Sequence, residues 1–537
     1  MLDGFVPWPA ERAEFYREAG CWSGLTFGEM LEKRSKEYAH QIAVVGHNGQ
    51  LTYQELNERV DQLAAGLQRL GIGKEDRVVV QLPNVIEYVE VVFALFKIGA
   101  LPVFALPSHR YNEISYFCDF TEAKAYIIKD KFTGFDYREL ARQVKAELPQ
   151  LLNVIVCGEE QEFMNLSSLY KEEPFEKVVV QGSDVAFLQL SGGSTGLSKL
   201  IPRTHDEYMY TIKRSVECCK VSEDTVFLIV LPVSHNYPMS SPGILGTLYA
   251  GGKIVLSLTP SPDEAFPLIE KHGVTMVSLV PPLALHWLDV REKYEEELTS
   301  LEVILVGGSK FSAEAAKRIE PSFGCTLQQV FGMAEGLVNY TRLDDPYEKR
   351  IYTQGRPMSP YDEIKIVDEE DREVPAGKPG HLLTRGPYTI QGYYKSPEHN
   401  AKAFTKDGFY RTGDIVSVDE EGYLTVEGRD KDQINRGGEK IAAEEVENHL
   451  LAHSAVHDAA IVAKEDKYLG EKSCAFIILR EDYQATKKEL KQFLKNRGLA
   501  TYKIPDDFVF VEHFPMTHLG KVSKKDLRNQ LITGVSR

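Results

Sequence analysis

Ser191-Gly192-Gly193-Ser194-Thr195-Gly196-Leu197-Ser198-Lys199 follows directly on the run Val185–Leu190, which is apolar but for Gln189. The run reads as a strand buried on both faces. Beyond it, three glycines let backbone N–H groups turn inward, and the hydroxyls and Lys199 add further donors, a combination that suits a polyphosphate. A flexible Ser/Gly linker is the bland alternative, but a linker rarely interrupts an apolar strand and ends in a lysine. No G-x-x-x-x-G-K-[ST] string and no G-x-G-x-x-G fingerprint occurs, so a P-loop NTPase and a dinucleotide-binding dehydrogenase both lose support.

Working outward, the same rhythm recurs. An apolar run at Val78–Leu82 precedes a helix opening at Asn84 and closing near Gly99, with a further short strand at Leu101–Phe104. Runs at Thr225–Val230, Met276–Val280 and Val303–Val306 are separated by helical stretches. Thr52 and Glu55 form a capping box ahead of Leu56, Val60, Leu63, Leu67 and Leu70, with Gly71 as the stop. This alternation predicts an α/β fold of mostly parallel sheets flanked by helices. From about Asp414 the texture becomes glycine-rich and charged. The expected division is a large N-terminal domain over 1–428, a hinge at 429–432 and a small, mobile α+β C-terminal domain over 433–537. The latter should hold helices at Ala443–Ala452 and Lys487–Lys495 and strands at Ala459–Ala463 and Cys474–Leu479.

Bulk properties narrow the class. A chain of 537 residues exceeds what one core organises. A formal charge of -17 argues against a general nucleic-acid partner, since a polyanion would be repelled over most of the surface. Seven scattered cysteines without a C-x-x-C pair suggest neither a disulfide framework nor a zinc knuckle, and fit a reducing cytoplasm. The N-terminus lacks a basic segment followed by an apolar stretch, and the run Val91–Phe96 breaks at Lys97, so neither a signal peptide nor a membrane span is expected.

The Ser191–Lys199 loop resembles the phosphate-binding signature of the adenylate-forming superfamily: acyl-CoA synthetases, adenylation domains of nonribosomal peptide synthetases, and luciferases. Other strings occur in that superfamily's order. Phe331-Gly332-Met333-Ala334-Glu335 resembles its adenine and magnesium motif, and Tyr410-Arg411-Thr412-Gly413-Asp414 its ribose motif. Gly428–Ile434 resembles the hinge, and Thr517-His518-Leu519-Gly520-Lys521-Val522 the catalytic-lysine motif. Each string is weak alone, but five in order span essentially the whole chain. One departs from the pattern: Ala334 stands where the family usually has threonine, so a hydroxyl is missing or supplied elsewhere.

The resemblance implies ATP and Mg2+, with roles that make physical sense. Ser191, Gly192, Gly193, Ser194, Thr195, Gly196 and Lys199 would hold the phosphates. Phe331 would stack on adenine, with Gly307, Gly308, Val330 and Arg429 also at the nucleoside. Asp414 would accept from the ribose hydroxyls, and Glu335 would offer hard oxygens to magnesium. Lys521 is the candidate catalytic cation, because attack of a carboxylate on the α-phosphate brings two anions together. His235 is a second catalytic candidate, and Lys431 matches the hinge.

Leu231–Ser241 falls where the family builds its acyl pocket. Amino-acid-activating relatives carry an aspartate there for the substrate ammonium; here the matching residue is neutral Asn236, so an acid without an α-amino group is implied. Asn236 and Ser241 can hydrogen-bond phenolic hydroxyls, Tyr237 can pack on a ring, Gly308 can border it, and Val338 can close a small apolar wall. This is similar to the aryl-acid ligases of catechol siderophore synthesis, which implies 2,3-dihydroxybenzoate as the acid, with salicylate as its nearest competitor. The resemblance further implies transfer to the phosphopantetheine of a separate aryl-carrier protein, with Gly437 and Gly438 able to admit the pantetheine chain. An acyl-CoA synthetase for another acid is an alternative within the class. A catalytically silent nucleotide-binding regulator is one outside it, and predicts loss of Lys521 or Asp414; both are present. His449, His453 and His457, at i, i+4 and i+8, raise a metal site on one helix face, but nothing nearby completes it.

Overall fold

The computed structural model describes residues 2–171, 175–191, 199–429, 432–436, 439–466, 469–497, 499, 501–517 and 521–533. Two sheets form the large part of the molecule. The first has nine strands, in the order Arg356–Pro357, Val338–Tyr340, Thr326–Gly332, Val303–Gly307, Met276–Leu279, Val226–Ile229, Lys253–Leu256, Ile42–Gly46, Gly49–Thr52. Its interior pairs are parallel and only its edges antiparallel. Every residue of Val303–Gly307 is buried, as expected of a parallel strand covered on both faces.

The second sheet has seven strands, with Val185–Leu190 between Leu101–Phe104 and Leu200–Thr204. All six residues of Val185–Leu190 are buried. This strand runs parallel to Leu101–Phe104 but antiparallel to Leu200–Thr204, with Leu190 opposite Leu200. The Ser191–Lys199 segment is therefore a hairpin connection between neighbouring strands, not a strand-to-helix turn.

Between the sheets lies the helix Ile86–Ile98. It is buried nearly all round, and Gly99 ends it in the left-handed region at φ 70°. Each fully buried Val, Leu or Phe on it stabilises by roughly 1.5–3 kcal/mol. It opens two residues later than its sequence suggests, because Asn84 is used elsewhere. The Asn84 side chain donates to the carbonyls of Ile229 (3.2 Å) and Leu231 (3.0 Å) and accepts from Val233 N–H (3.0 Å). A helix of one sheet layer thus holds the chain entering the 231–241 segment of the other.

A third sheet, absent from the sequence reading, is antiparallel: Glu363–Val367, Gly380–Arg385, Tyr410–Val418 and Leu424–Arg429. Its strands bury one face, and in Tyr410–Val418 the inward positions include Thr412 and Asp414, so the apolar alternation that would announce it is broken. A fourth sheet is built from Ile434–Arg436, Glu439–Ile441, Val456–Asp466, Gly470–Leu479 and Asp507–Phe510. With the helices Ala443–Leu451 and Lys487–Asn496 it encloses its own core of Ile434, Val446, Ile461, Ile477, Leu490 and Phe508. The architecture is α/β with a large N-terminal part of mostly parallel sheets and a smaller C-terminal unit. The seven cysteines are buried and unpaired. No helix among the described residues is long and apolar enough to cross a membrane.

Candidate active site

A cavity of about 680 Å3 opens where the ends of Val303–Gly307 and Thr326–Gly332 face the small C-terminal unit. At its mouth, Ser191 N–H donates to Lys199 O (2.9 Å) and Lys199 N–H donates to Ser191 Oγ (3.0 Å). The two ends of the phosphate-type loop are clamped together at the cavity wall. Gly192, Gly193, Ser194, Thr195 and Gly196 lie outside the described residues, as do Lys431, Gly437 and Gly438.

Along one wall stand Val330, Phe331 and Glu335, with Asp414 and Arg429 from the antiparallel sheet. Asp414 and Arg429 face each other in register, and Asp414 Oδ1 accepts from Arg429 Nε at 2.7 Å. Asp414 Oδ2 is buried and has no hydrogen-bond partner among the described residues. A buried carboxylate oxygen left unpaired is costly unless a ligand satisfies it, so the open oxygen marks a place for hydroxyl donors. Asp414 N–H is itself held by Thr412 Oγ1 (3.0 Å).

Glu335 is 7% exposed, and its Oε1 accepts from Tyr393 O–H at 2.8 Å. The Tyr393 phenol also meets Tyr410 O–H at 2.9 Å, and the Lys199 ammonium sits 5.9 Å from its ring. Burial, reinforced by the Glu335 charge, raises the Tyr393 phenol well above its ordinary range and keeps its proton in place as a donor. Tyr393 therefore joins Lys199, the Glu335 motif and the start of the Tyr410–Asp414 motif. Arg203 braces the same motif from behind. It pairs with Glu207 (2.8 and 2.5 Å) and donates to the carbonyls of Ala334 and Tyr388. With Ala334 lacking a hydroxyl, the motif is held by Arg203 on its backbone and Tyr393 on its carboxylate. Removing one partner of the buried Arg203–Glu207 pair is expected to cost about 3–5 kcal/mol.

On the acyl side, His235 caps the short helix Asn236–Ser240, its Nδ1 accepting from Tyr237 N–H at 3.3 Å. That leaves Nε2 as the protonated nitrogen of a neutral ring. Burial first, and the Lys521 charge second, push His235 down to about 3. Asn236 Oδ1 accepts from Tyr208 O–H (2.8 Å), so its amide N–H groups are left for the cavity. The Tyr237 ring lies against Gly307, where an added Cβ would stand 3.2 Å from Cζ. Ser241 is 3% exposed and its hydroxyl approaches Tyr340, whose own O–H donates to Ser215 Oγ at 3.0 Å. Val338, paired with Gly332, closes the wall; its N–H donates to the Tyr388 phenol, which donates to the partly buried Asp362 at 2.6 Å.

Lys521 reaches this space from the C-terminal unit, on a turn closed by Thr517 N–H to Lys521 O (2.6 Å) and a bridge between Met516 and Val522. A Cβ placed on Gly308 would stand 3.8 Å from Lys521 Cε and 3.3 Å from Val280 Cγ1. Gly308 also has φ +90°, a backbone conformation that favours glycine. Of the three histidines, His457 pairs with Asp289, His449 accepts from Arg497, and His453 meets the Phe493 ring edge-on.

These positions bring together, in one cavity, motifs separated by hundreds of residues, and comparison with known proteins accounts for the pattern. Residues 31–394 match the AMP-binding enzyme family, and residues 445–521 match the AMP-binding enzyme C-terminal domain. The chain belongs to the AMP-binding enzyme family. This AMP-binding enzyme is 64% identical over 531 residues to the 2,3-dihydroxybenzoate-AMP ligase of Bacillus subtilis (strain 168), covering 99% of this chain and 98% of that one. It is 50% identical over 537 residues to the vibriobactin-specific 2,3-dihydroxybenzoate-AMP ligase of Vibrio cholerae, covering 99% of each. Among solved structures it is similar to apo MbtA of Mycobacterium smegmatis, with 42% identity, a TM-score of 0.76 and coverage of 98% and 99%.

Sequence reasoning missed Arg203 and Tyr393 as parts of the site. Thr204 and Glu207 make a capping box that hints at the first. Nothing local signals the second.

Proposed function

We propose that this AMP-binding enzyme activates 2,3-dihydroxybenzoate with ATP, forming the aryl-adenylate and releasing pyrophosphate. It then passes the aryl group to the phosphopantetheine thiol of a separate aryl-carrier protein. The observation that carries the choice of acid is Asn236: its carbonyl oxygen is taken by Tyr208, and it offers neutral N–H donors where an amino-acid activator needs a carboxylate. The names of the two ligases similar to this chain support the same acid.

The chain's own groups divide the first step among them. Asp414 Oδ2 accepts from the ribose hydroxyls while Arg429 fixes its other oxygen. Phe331 and the strand ends beside it receive the adenine. A carboxylate oxygen of the acid attacks the α-phosphorus; the new P–O bond forms as the bond to the β-phosphate oxygen breaks, and pyrophosphate leaves with that electron pair. Lys521 neutralises the two anions as they meet, and the neutral His235 donates its Nε2–H to oxygen without competing for a proton. Ser241 lines the cavity, and its hydroxyl lone pairs can accept from a 3-hydroxyl. Glu335, a buried carboxylate oriented by Tyr393, is the residue that would hold a magnesium ion. That ion would supply charge neutralisation.

Pyrophosphate exchange with 2,3-dihydroxybenzoate, salicylate, benzoate and several amino acids tests the reading; the catechol acid should turn over best. Ser241→Ala should cut the preference for 2,3-dihydroxybenzoate over salicylate by about tenfold, as expected when a site loses its partner for a substrate hydroxyl. An unchanged ratio removes Ser241 from the specificity argument.

A further inference from the structure

Lys521 lies on a unit with its own core, so its place beside Gly308 depends on how that unit is seated. One partly buried carboxylate stands at the seat. Asp289, on the helix Pro281–Val290 of the large part, has a side chain 17% exposed. Its Oδ1 accepts from Arg318 Nη2 at 2.7 Å, within the large part, and from Arg480 of the small unit. Its Oδ2 meets His457 Nδ1, also of the small unit, at 2.5 Å. Burial works to raise Asp289, but His457, Arg318 and Arg480 together hold it well below the usual carboxylate range.

Among the described residues two other ion pairs cross between the parts, and both are weaker supports. Lys293–Glu481 (3.2 Å) is largely exposed, and Arg497–Glu314 is long at 3.7 Å. His457 and Arg480 sit at one end of the paired strands Val456–Asp466 and Gly470–Leu479. The helix Lys524–Thr533 packs on the first of these strands, with Leu527 in a core beside Ala460 and Val462. That helix begins three residues after Lys521, so the strand and helix form a stiff link from Asp289 to the lysine. Arg318 also keeps Asp289 paired if the small unit moves away, so release strands no buried charge.

We propose that Asp289 is a positioning residue for the adenylation step, seating the small unit through His457 and Arg480 so that Lys521 stands at Gly308. The proposal rests on the functional reading above. The test uses the full chain with three variants: Asp289→Asn, which keeps shape and loses charge, Arg480→Ala, which acts from the other side, and the double variant. In pyrophosphate exchange with ATP and 2,3-dihydroxybenzoate, each single variant should lower kcat by about tenfold, as for small misplacements of a catalytic group, with KM values little changed. The double variant should be no worse than the poorer single one, because the two residues form one contact. Unchanged kcat, a loss confined to KM, or additive losses would overturn the proposal. If wild-type protein exchanges pyrophosphate with no aryl acid, the functional reading fails instead. Small-angle scattering then still decides the seat, since both single variants should show a larger radius of gyration than wild type, and an equal radius overturns it.

Discussion

On the strand side of the cavity, Val330, Gly308 and Asn236 stand at the ends of layers that bury nearly every apolar residue. Asn84 and Tyr208 tie the connecting segments down with hydrogen bonds of 2.8–3.2 Å. On the facing side, Lys521 comes from a unit with a separate core, joined to the first through ion pairs at its rim. On the proposed function, the contrast teaches that recognition is built into the densely packed wall while the candidate catalytic charge is delivered from a separate unit. Affinity and rate should therefore respond to different residues.

The largest expected effect is on rate alone. Lys521→Ala should lower adenylation kcat by about 10²–10³-fold, the scale of a lost transition-state donor. KM for ATP and acid should change little, and transfer from supplied aryl-adenylate should survive. Equal damage to both half-reactions would erase the distinction between the walls. Next comes a loss of affinity: Asp414→Asn should raise KM for ATP by about tenfold, since charge-assisted hydrogen bonds contribute about 1.5–3 kcal/mol, with kcat nearly unchanged. A fall in kcat alone would show the strand side taking part in the chemistry.

Smaller effects sharpen the picture. Tyr393→Phe should weaken binding of a non-hydrolysable ATP analogue by about five-fold when Mg2+ is present, consistent with one hydrogen bond of about 1 kcal/mol. It should leave metal-free binding unaltered, and calorimetry with and without Mg2+ reads the difference. Smallest of all is the pH response of His235. Pushed down to about 3, it stays neutral across the assay range, so the pH profile of kcat should keep its shape in His235→Ala even as the rate falls. Disappearance of a limb near the ordinary histidine value would contradict this.

Much of the fold was legible because parallel strands buried on both faces must be continuously apolar. Val185–Leu190 and Leu101–Phe104 fall where the sequence places them, and the helix Tyr53–Arg69 carries the Thr52–Glu55 capping box. The antiparallel sheet over 363–429 was hidden, because Thr412 and Asp414 occupy inward positions for the sake of the site. The Asp414–Arg429 pairing is set by that hidden register.

By itself, the sequence determined the order of strands and motifs, the neutral residue at 236 and the chemistry that Glu335, Asp414 and Lys521 can offer, since those properties belong to residue types and short spacings. Only the tertiary structure decided that Tyr393 holds Glu335, that Asn84 holds Val233 and that Asp289 meets Arg480. These contacts join positions 58, 149 and 191 residues apart. Their partners are chosen by how layers and units pack, which no local pattern encodes.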